Sequence, residues 1–273
     1  MAAPYINLSG PYTLPKPGSY TLNGAYGIFL SFTGDKIIVC APYNSELFSY
    51  SLSIPFDLSS TITYSSRLSL TGIGSGYIKD IFFDETGLNA IGMYPSNKCH
   101  QYSLSTPFNI NTMATVSANN ALASGATSLC ASQDGTRLYT FGTSTLKQYN
   151  LSTPWDISTA AVQITIVSPI SSFVGTGMWL SPYETRLFIL GSVGGVASIL
   201  RYDLGQKKEI AGAVENIEFT PIGIASPYSL RFNYYENKVF ISKDGTSYIY
   251  TYDGRTWEPL FWTNFKGQTE YLE

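Results

Sequence analysis

Short runs rich in β-branched and aromatic residues follow one another along the whole chain, separated by Gly, Pro, Asn, Asp or Ser. No segment carries the 3.6-residue spacing of an amphipathic helix, so the pattern predicts strands joined by turns. The first such group falls over Tyr26–Phe32, Lys36–Ala41, Glu46–Ser51 and Thr61–Leu68. It is four strands of ordinary length, and the grouping then recurs.

Two landmarks mark the recurrence. The first is a turn leading into an apolar strand. It reads Gly34-Asp35-Lys36-Ile37 and then Glu85-Thr86-Gly87-Leu88. It returns as Asp134-Gly135-Thr136-Arg137-Leu138, Glu184-Thr185-Arg186-Leu187 and Glu236-Asn237-Lys238-Val239. The aligned apolar positions are 37, 88, 138, 187 and 239. The second landmark ends a strand and opens a tight connection: Tyr50-Ser51-Leu52-Ser53-Ile54-Pro55-Phe56-Asp57-Leu58. Sister copies start at Tyr102 and Tyr149, with degenerate ones at Tyr202 and Tyr252.

Four antiparallel strands repeated at roughly 50-residue intervals are the signature of a propeller blade. The expected fold is therefore all-β: a five-bladed β-propeller in one domain over 1–273, with blades over about 24–72, 73–123, 124–172, 173–223 and 224–267. Residues 5–14 match the second landmark, so the chain starts part-way through a repeat. Segment 1–23 is expected to close the ring as the outer strand of the last blade. Segment 254–273 is then a surplus tail, an outer strand or a cover over the seam, with docking as its functional reading. Its aromatic residues Trp257, Phe261, Trp262 and Phe265 are the docking candidates, because buried aromatics dominate interface energetics.

Composition narrows the function. Net charge is −3 and charged residues are 13% of the chain, without a dense Lys/Arg run. Nucleic-acid binding needs a basic footprint and is not expected. The apolar runs are strand-sized, so no membrane partner is expected. The opening residues lack the pattern of a signal peptide. Cys40, Cys99 and Cys130 are an odd, widely spaced set and read as buried thiols. His100 is the single histidine, which argues against His-based zinc sites and triads. No metal and no cofactor are expected.

The landmarks themselves read as architecture: Pro fixes a turn, Ser and Asp bond nearby amides, and the aromatic fills a gap beneath. Both should fall on one face of the ring. The other face carries loops that differ from copy to copy, as a recognition surface would. Tyr43, Tyr77, Tyr94 and Tyr228 are its candidate contact residues. Alignment of the innermost strands puts Phe29, Asp80, Cys130, Trp179 and Arg231 in one layer around the channel. Asp80 and Arg231 are its two charges, and a pair, a water-filled channel or a ligand site with Trp179 at the mouth are the alternatives. A propeller glycosidase would need two or three carboxylates converging there. Only Asp80 lies in an inner strand, so no catalytic residue is assigned and an enzyme is not expected.

The stretch Tyr149-Asn150-Leu151-Ser152-Thr153-Pro154-Trp155-Asp156-Ile157-Ser158-Thr159 and its sister copies resemble repeats of structural proteins of tailed bacteriophages. That resemblance implies a non-enzymatic virion component of tail, fibre or capsid surface, with other virion proteins as partners and several copies per particle. A lectin-like propeller that binds host surface glycan is the alternative, ahead of a propeller hydrolase.

Overall fold

The computed structural model describes residues 8–15, 24–41, 45–70, 77–94, 98–119, 122, 125–142, 144–167, 173–216, 224–233, 238–243 and 248–253. They form five separate four-stranded antiparallel sheets, the blades of a five-bladed β-propeller. The N-terminal strand β1 spans Leu8–Thr13. Blade 1 is β2 (Ile28–Leu30), β3 (Lys36–Ala41), β4 (Glu46–Leu52) and β5 (Ile62–Ser69). Blade 2 is β6 (Asp80–Phe83), β7 (Asn89–Tyr94), β8 (Lys98–Leu104) and β9 (Met113–Asn119). Blade 3 is β10 (Ser128–Ala131), β11 (Arg137–Gly142), β12 (Thr145–Leu151) and β13 (Ala160–Val167). Blade 4 is β14 (Val174–Leu180), β15 (Arg186–Val193), β16 (Val196–Asp203) and β17 (Val214–Asn216). Blade 5 is β18 (Pro227–Phe232), β19 (Lys238–Lys243) and β20 (Tyr248–Asp253), completed by β1. Leu8 pairs with Tyr252 and Thr13 with Tyr248, so the N-terminal segment closes the ring as expected.

Burial explains the two textures of the strands. Inner strands such as β2 and β6 are buried on both faces, which is why they read as continuous apolar runs. The outer strand β5 alternates between half-buried and exposed. The core accordingly lies between blades: Phe29 of blade 1 packs with Phe82 and Phe83 of blade 2, and Trp179 of blade 4 with Phe232 of blade 5. Among the described residues, no helix is long and apolar enough to cross a membrane.

Register corrects one part of the sequence alignment. Lys36, Asn89, Arg137, Arg186 and Lys238 occupy equivalent places, since each pairs with the residue after the strand-3 tyrosine. The apolar position of blade 2 is therefore Ala90, not Leu88. The cause is local: Gly87 is the turn glycine equivalent to Gly34 and Gly135, so blade 2 runs two residues later than its apolar spacing implies. The inner layer becomes Phe29, Phe82, Cys130, Trp179 and Arg231, and Asp80 sits one rung further along the channel with Ser128 and Ser229.

The two landmarks clasp each other. Phe56, Phe108 and Trp155 donate their backbone N–H to the carbonyls of Gly34, Gly87 and Gly135 at 2.9, 3.0 and 3.0 Å. Each aromatic holds a positive φ and lays its ring against the turn glycine. A Cβ on Gly135 would lie 2.3 Å from Trp155 Cδ1. The next residue, Asp57, Asn109 or Asp156, accepts from an amide two positions on. Leu58, Ile110, Ile157 and Ile210 are the buried anchors that follow. Across the blade junctions, Gln101 accepts from Ile157 N–H at 3.1 Å and Gln148 from Ile210 N–H at 2.9 Å.

Gly135 and Gly194 both hold a positive φ, but only Gly135 faces a ring, since nothing lies within 4 Å of a Cβ on Gly194. Gly194→Ala should cost about 1 kcal/mol from backbone strain alone. Gly135→Ala should cost about 3 kcal/mol, because the ring must also move. Urea unfolding of the two variants checks the difference.

Candidate functional site at the mouth of the axial channel

The five inner strands β2, β6, β10, β14 and β18 surround the axis, and small residues line its tightest level. A Cβ on Gly27 would meet the Asp80 backbone at 2.7 Å, and one on Gly177 would meet the Ser229 backbone at 2.9 Å. Into this space blade 5 sends Arg231 and blade 2 sends Asp80. Arg231 Nη2 donates to Asp80 Oδ1 at 2.9 Å and to the Ile81 carbonyl at 3.2 Å. Its Nη1 donates to the Leu230 carbonyl at 2.7 Å and to Met178 of blade 4 at 3.1 Å. The Leu129 amide of blade 3 faces the same carboxylate. One ion pair thus touches four blades, while the backbone of its acid rests on Gly27 of the fifth.

Both partners are buried, Asp80 at 1% exposed and Arg231 at 2%. Burial raises the Asp80 carboxyl above its ordinary value, and Arg231 and the Ile81 amide pull it back. Asp80 Oδ2, Arg231 Nε and Ser128 Oγ are buried without a hydrogen-bond partner among the described residues.

On the side of the clasped turns the channel opens into a narrow funnel of about 30 Å³. Six rings shape it, those of Phe29, Phe32, Phe56, Phe82, Trp179 and Phe232, with Arg231 also in its wall. The hydroxyls at the rim are committed: Ser31 Oγ accepts from Lys36 N–H at 3.0 Å, and Ser181 Oγ from Arg186 N–H at 3.1 Å. The Gln133 side chain is the remaining polar group there.

Beside the funnel, blades 3 and 4 are joined by charge. Blade 4 has Glu184 and Lys208 where blades 1, 2 and 3 have glycine and an aromatic, and Lys208 N–H bonds the Glu184 carbonyl at 2.8 Å. Lys208 Nζ lies 3.6 Å from Glu184 and is ion-paired to Asp134 of blade 3. Arg137 reaches Glu209 at 2.6 Å, and Gln148 Nε2 donates to the other Glu209 oxygen at 2.7 Å. Burial alone would raise Asp134 and Glu209, but bonds from Lys208, Ser132 and Thr136 to the first, and from Gln148 and Arg137 to the second, hold both carboxyls below their ordinary values.

The candidates read from sequence scatter. Asp80 and Arg231 meet, and Trp179, at 8% exposed, lines the mouth. Of the loop-face tyrosines, Tyr77 is exposed. Tyr228 is half-buried, its ring centroid 4.0 Å from that of Tyr26. Tyr94 does not offer a surface: it is 1% exposed, and its hydroxyl bonds that of Tyr102 inside blade 2. It ends β7 on the inward parity of the strand, and a neighbouring proline disguised it as a loop residue. Tyr43, Trp257, Phe261, Trp262 and Phe265 lie outside the described residues. The three cysteines are free and buried, and burial pushes the Cys99 thiol up to about 12. His100 is buried against Tyr94, and burial and then Lys98 lower its pKa. Sequence reasoning missed Phe32, Phe56, Phe82 and Phe232. Phe56 was legible as a turn aromatic, but nothing in its spacing shows that its ring also faces the channel.

The fold and axis define a five-bladed β-propeller whose channel narrows at one level and is lined by rings on the side of the clasped turns. No protein-family model and no curated protein matches the chain. Among solved structures, 1315 chains are similar. One is a functionally unknown protein from Desulfotomaculum acetoxidans DSM 771, at 10% identity and a TM-score of 0.50. The match covers 80% of this chain and 62% of that one, so this chain spans less than two thirds of its neighbour's length.

Two outcomes follow from the charges. Arg231→Met leaves Asp80 buried and uncompensated and should cost roughly 3–5 kcal/mol, most of it recovered when Asp80→Asn is added. Urea unfolding of the single and double variants reads both. At the blade 3–4 seam, Asp134 and Glu209 bind protons more weakly when folded. Their stabilisation is therefore present above the unfolded carboxylate values, about 4, and is lost as pH falls below them. Glu209→Gln should flatten the loss of urea resistance between about pH 5 and pH 3.

Proposed function

We propose that this propeller is a non-enzymatic docking component of a bacteriophage particle, present in several copies and joined to other virion proteins. The observation that carries the non-enzymatic part is the use of Asp80. The one carboxylate that reaches the axis from an inner strand, among the described residues, is consumed in a tie to Arg231 and to backbone groups. Glycoside hydrolysis needs a second carboxylate about 5–9 Å away across a substrate, and the described inner strands hold none.

The docking part rests on the surface. It is weakly charged, and its exposed apolar side chains include Val162, Val167, Val174 and Val196 at 59, 70, 53 and 55%. Val167 pairs with Thr145, and the adjacent Ser144 bonds the carbonyl of Phe173, next to Val174. Val174 in turn pairs with Ser192, beside the Val193–Val196 pair. Val167 ends β13, Val174 opens β14 and Val196 opens β16, so all three exposed valines stand at the loop end of blades 3 and 4, where exposed apolar side chains can meet a partner. The virion assignment is supported by the phage-like Leu-Ser-Thr-Pro-aromatic turns.

Mass spectrometry of density-purified particles from the source phage tests the proposal. The chain should be recovered at constant stoichiometry to the major structural protein after high-salt washing. Its absence from infectious particles would contradict the assignment.

A further inference from the structure

Resting on the docking reading above, we infer that the outer strand of blade 3, β13, receives β13 of a second copy of this chain. β13 is the edge of its sheet: it pairs with β12 from Ala160 to Val167, and no strand lies on its other side among the described residues. An edge strand presents a row of unpaired backbone donors and acceptors, and proteins blunt such edges with charge, proline or shortness. Three of the other outer strands are blunted in this way. β1 holds Pro11, β5 holds Arg67, and β17 has three residues with Glu215 among them. β9 is uncharged, but Val116 is its one large exposed apolar side chain. β13 reads Ala-Ala-Val-Gln-Ile-Thr-Ile-Val, without charge, glycine or proline. The partner that satisfies an open edge along its length is another extended strand.

The order of the side chains on β13 identifies that strand. Against β12, Val162, Ile164, Thr165, Ile166 and Val167 stand opposite five consecutive residues, from Tyr149 back to Thr145. Gln163 is the extra residue of a bulge, and its side chain turns inward to accept from Gln148 Nε2 at 2.7 Å. The five ladder positions therefore read Val-Ile-Thr-Ile-Val, the same in both directions. An antiparallel copy centred on Thr165 places Val162 opposite Val167, Ile164 opposite Ile166, and Thr165 opposite itself. Each pair also shares one face of the sheet, since 162, 165 and 167 are exposed while 164 and 166 are half-buried. β-branched residues pack well on a pleated surface, and Thr–Thr pairs are favourable across strands. A patch that is its own complement about a two-fold axis is the requirement of an isologous dimer.

Sedimentation equilibrium of the full chain tests this. The mass should rise with concentration from 29.9 kDa toward twice that value. Half-association is expected at roughly 10–100 µM, because an edge contact is small. Val162→Lys combined with Val167→Lys should weaken association roughly tenfold, since two like-charge pairs then enter each dimer. Val162→Lys combined with Val167→Glu should restore it, because each lysine then faces a glutamate. Both positions are exposed, and urea unfolding of the two double variants should show the fold intact. A mass that stays at one chain at every concentration would overturn the self-pairing and leave the edge to a strand of another protein. Equal association in the two double variants would overturn it by placing the contact elsewhere, and growth beyond two chains would do so by showing an open contact. The mass is read on the purified chain without particles, so the dimer and the virion assignment can fail separately.

Discussion

Five strands converging on one axis leave little room, and the contact between Arg231 and Asp80 determines how that room is filled. With Gly27 and Gly177 the neighbouring backbones approach to a distance that no larger side chain allows. The ion pair then bonds across the axis to backbone groups of blades 2, 4 and 5. A buried pair is a weak source of net stability, since two charges must leave water. Its value here is geometric: it ties the inner strands of blades 2 and 5 together across the axis.

Away from the axis, the ring is held by a repeated clasp rather than by one core. A turn glycine receives an aromatic from the same blade, and that aromatic stacks on the inner strand of the blade before it. A single side chain thus closes its own blade and joins it to the neighbour. Blade 4 departs from the scheme. Lys208 and Glu209 form ion pairs with Asp134 and Arg137 of blade 3 and Glu184 accepts from the Gln133 amide, so this junction responds to acid through Asp134 and Glu209. The same departure lies beside the mouth, where the Gln133 amide bonds Glu184.

Much of the fold was legible because its determinants are local. Strand length, turn residues and the interval between landmarks all lie within one blade, and the match of residues 5–14 to the second landmark foretold the closing strand. The register of blade 2 was not legible. Gly87 and Leu88 compete as markers, and only the clasp of Phe108 on Gly87 decides between them. The candidate site was read in part. Asp80, Arg231 and Trp179 were visible as inner-strand residues, although which side chains share a level depends on contacts between blades about fifty residues apart. The turn aromatics were assigned to architecture, and they are architecture, yet Phe56 also lines the mouth. The division between repeated structural residues and variable functional ones fails where a structural ring borders the channel.

The central claim is that the axis makes five blades one cooperative unit. Native-state hydrogen exchange in increasing sub-denaturing urea tests it most directly. The amides of Ile28–Leu30, Asp80–Phe83, Ser128–Ala131, Met178–Leu180 and Leu230–Phe232 should exchange through a single, largest opening free energy, equal to that of global unfolding. Separate opening energies for the inner strands, with one blade exchanging well before the others, would contradict it.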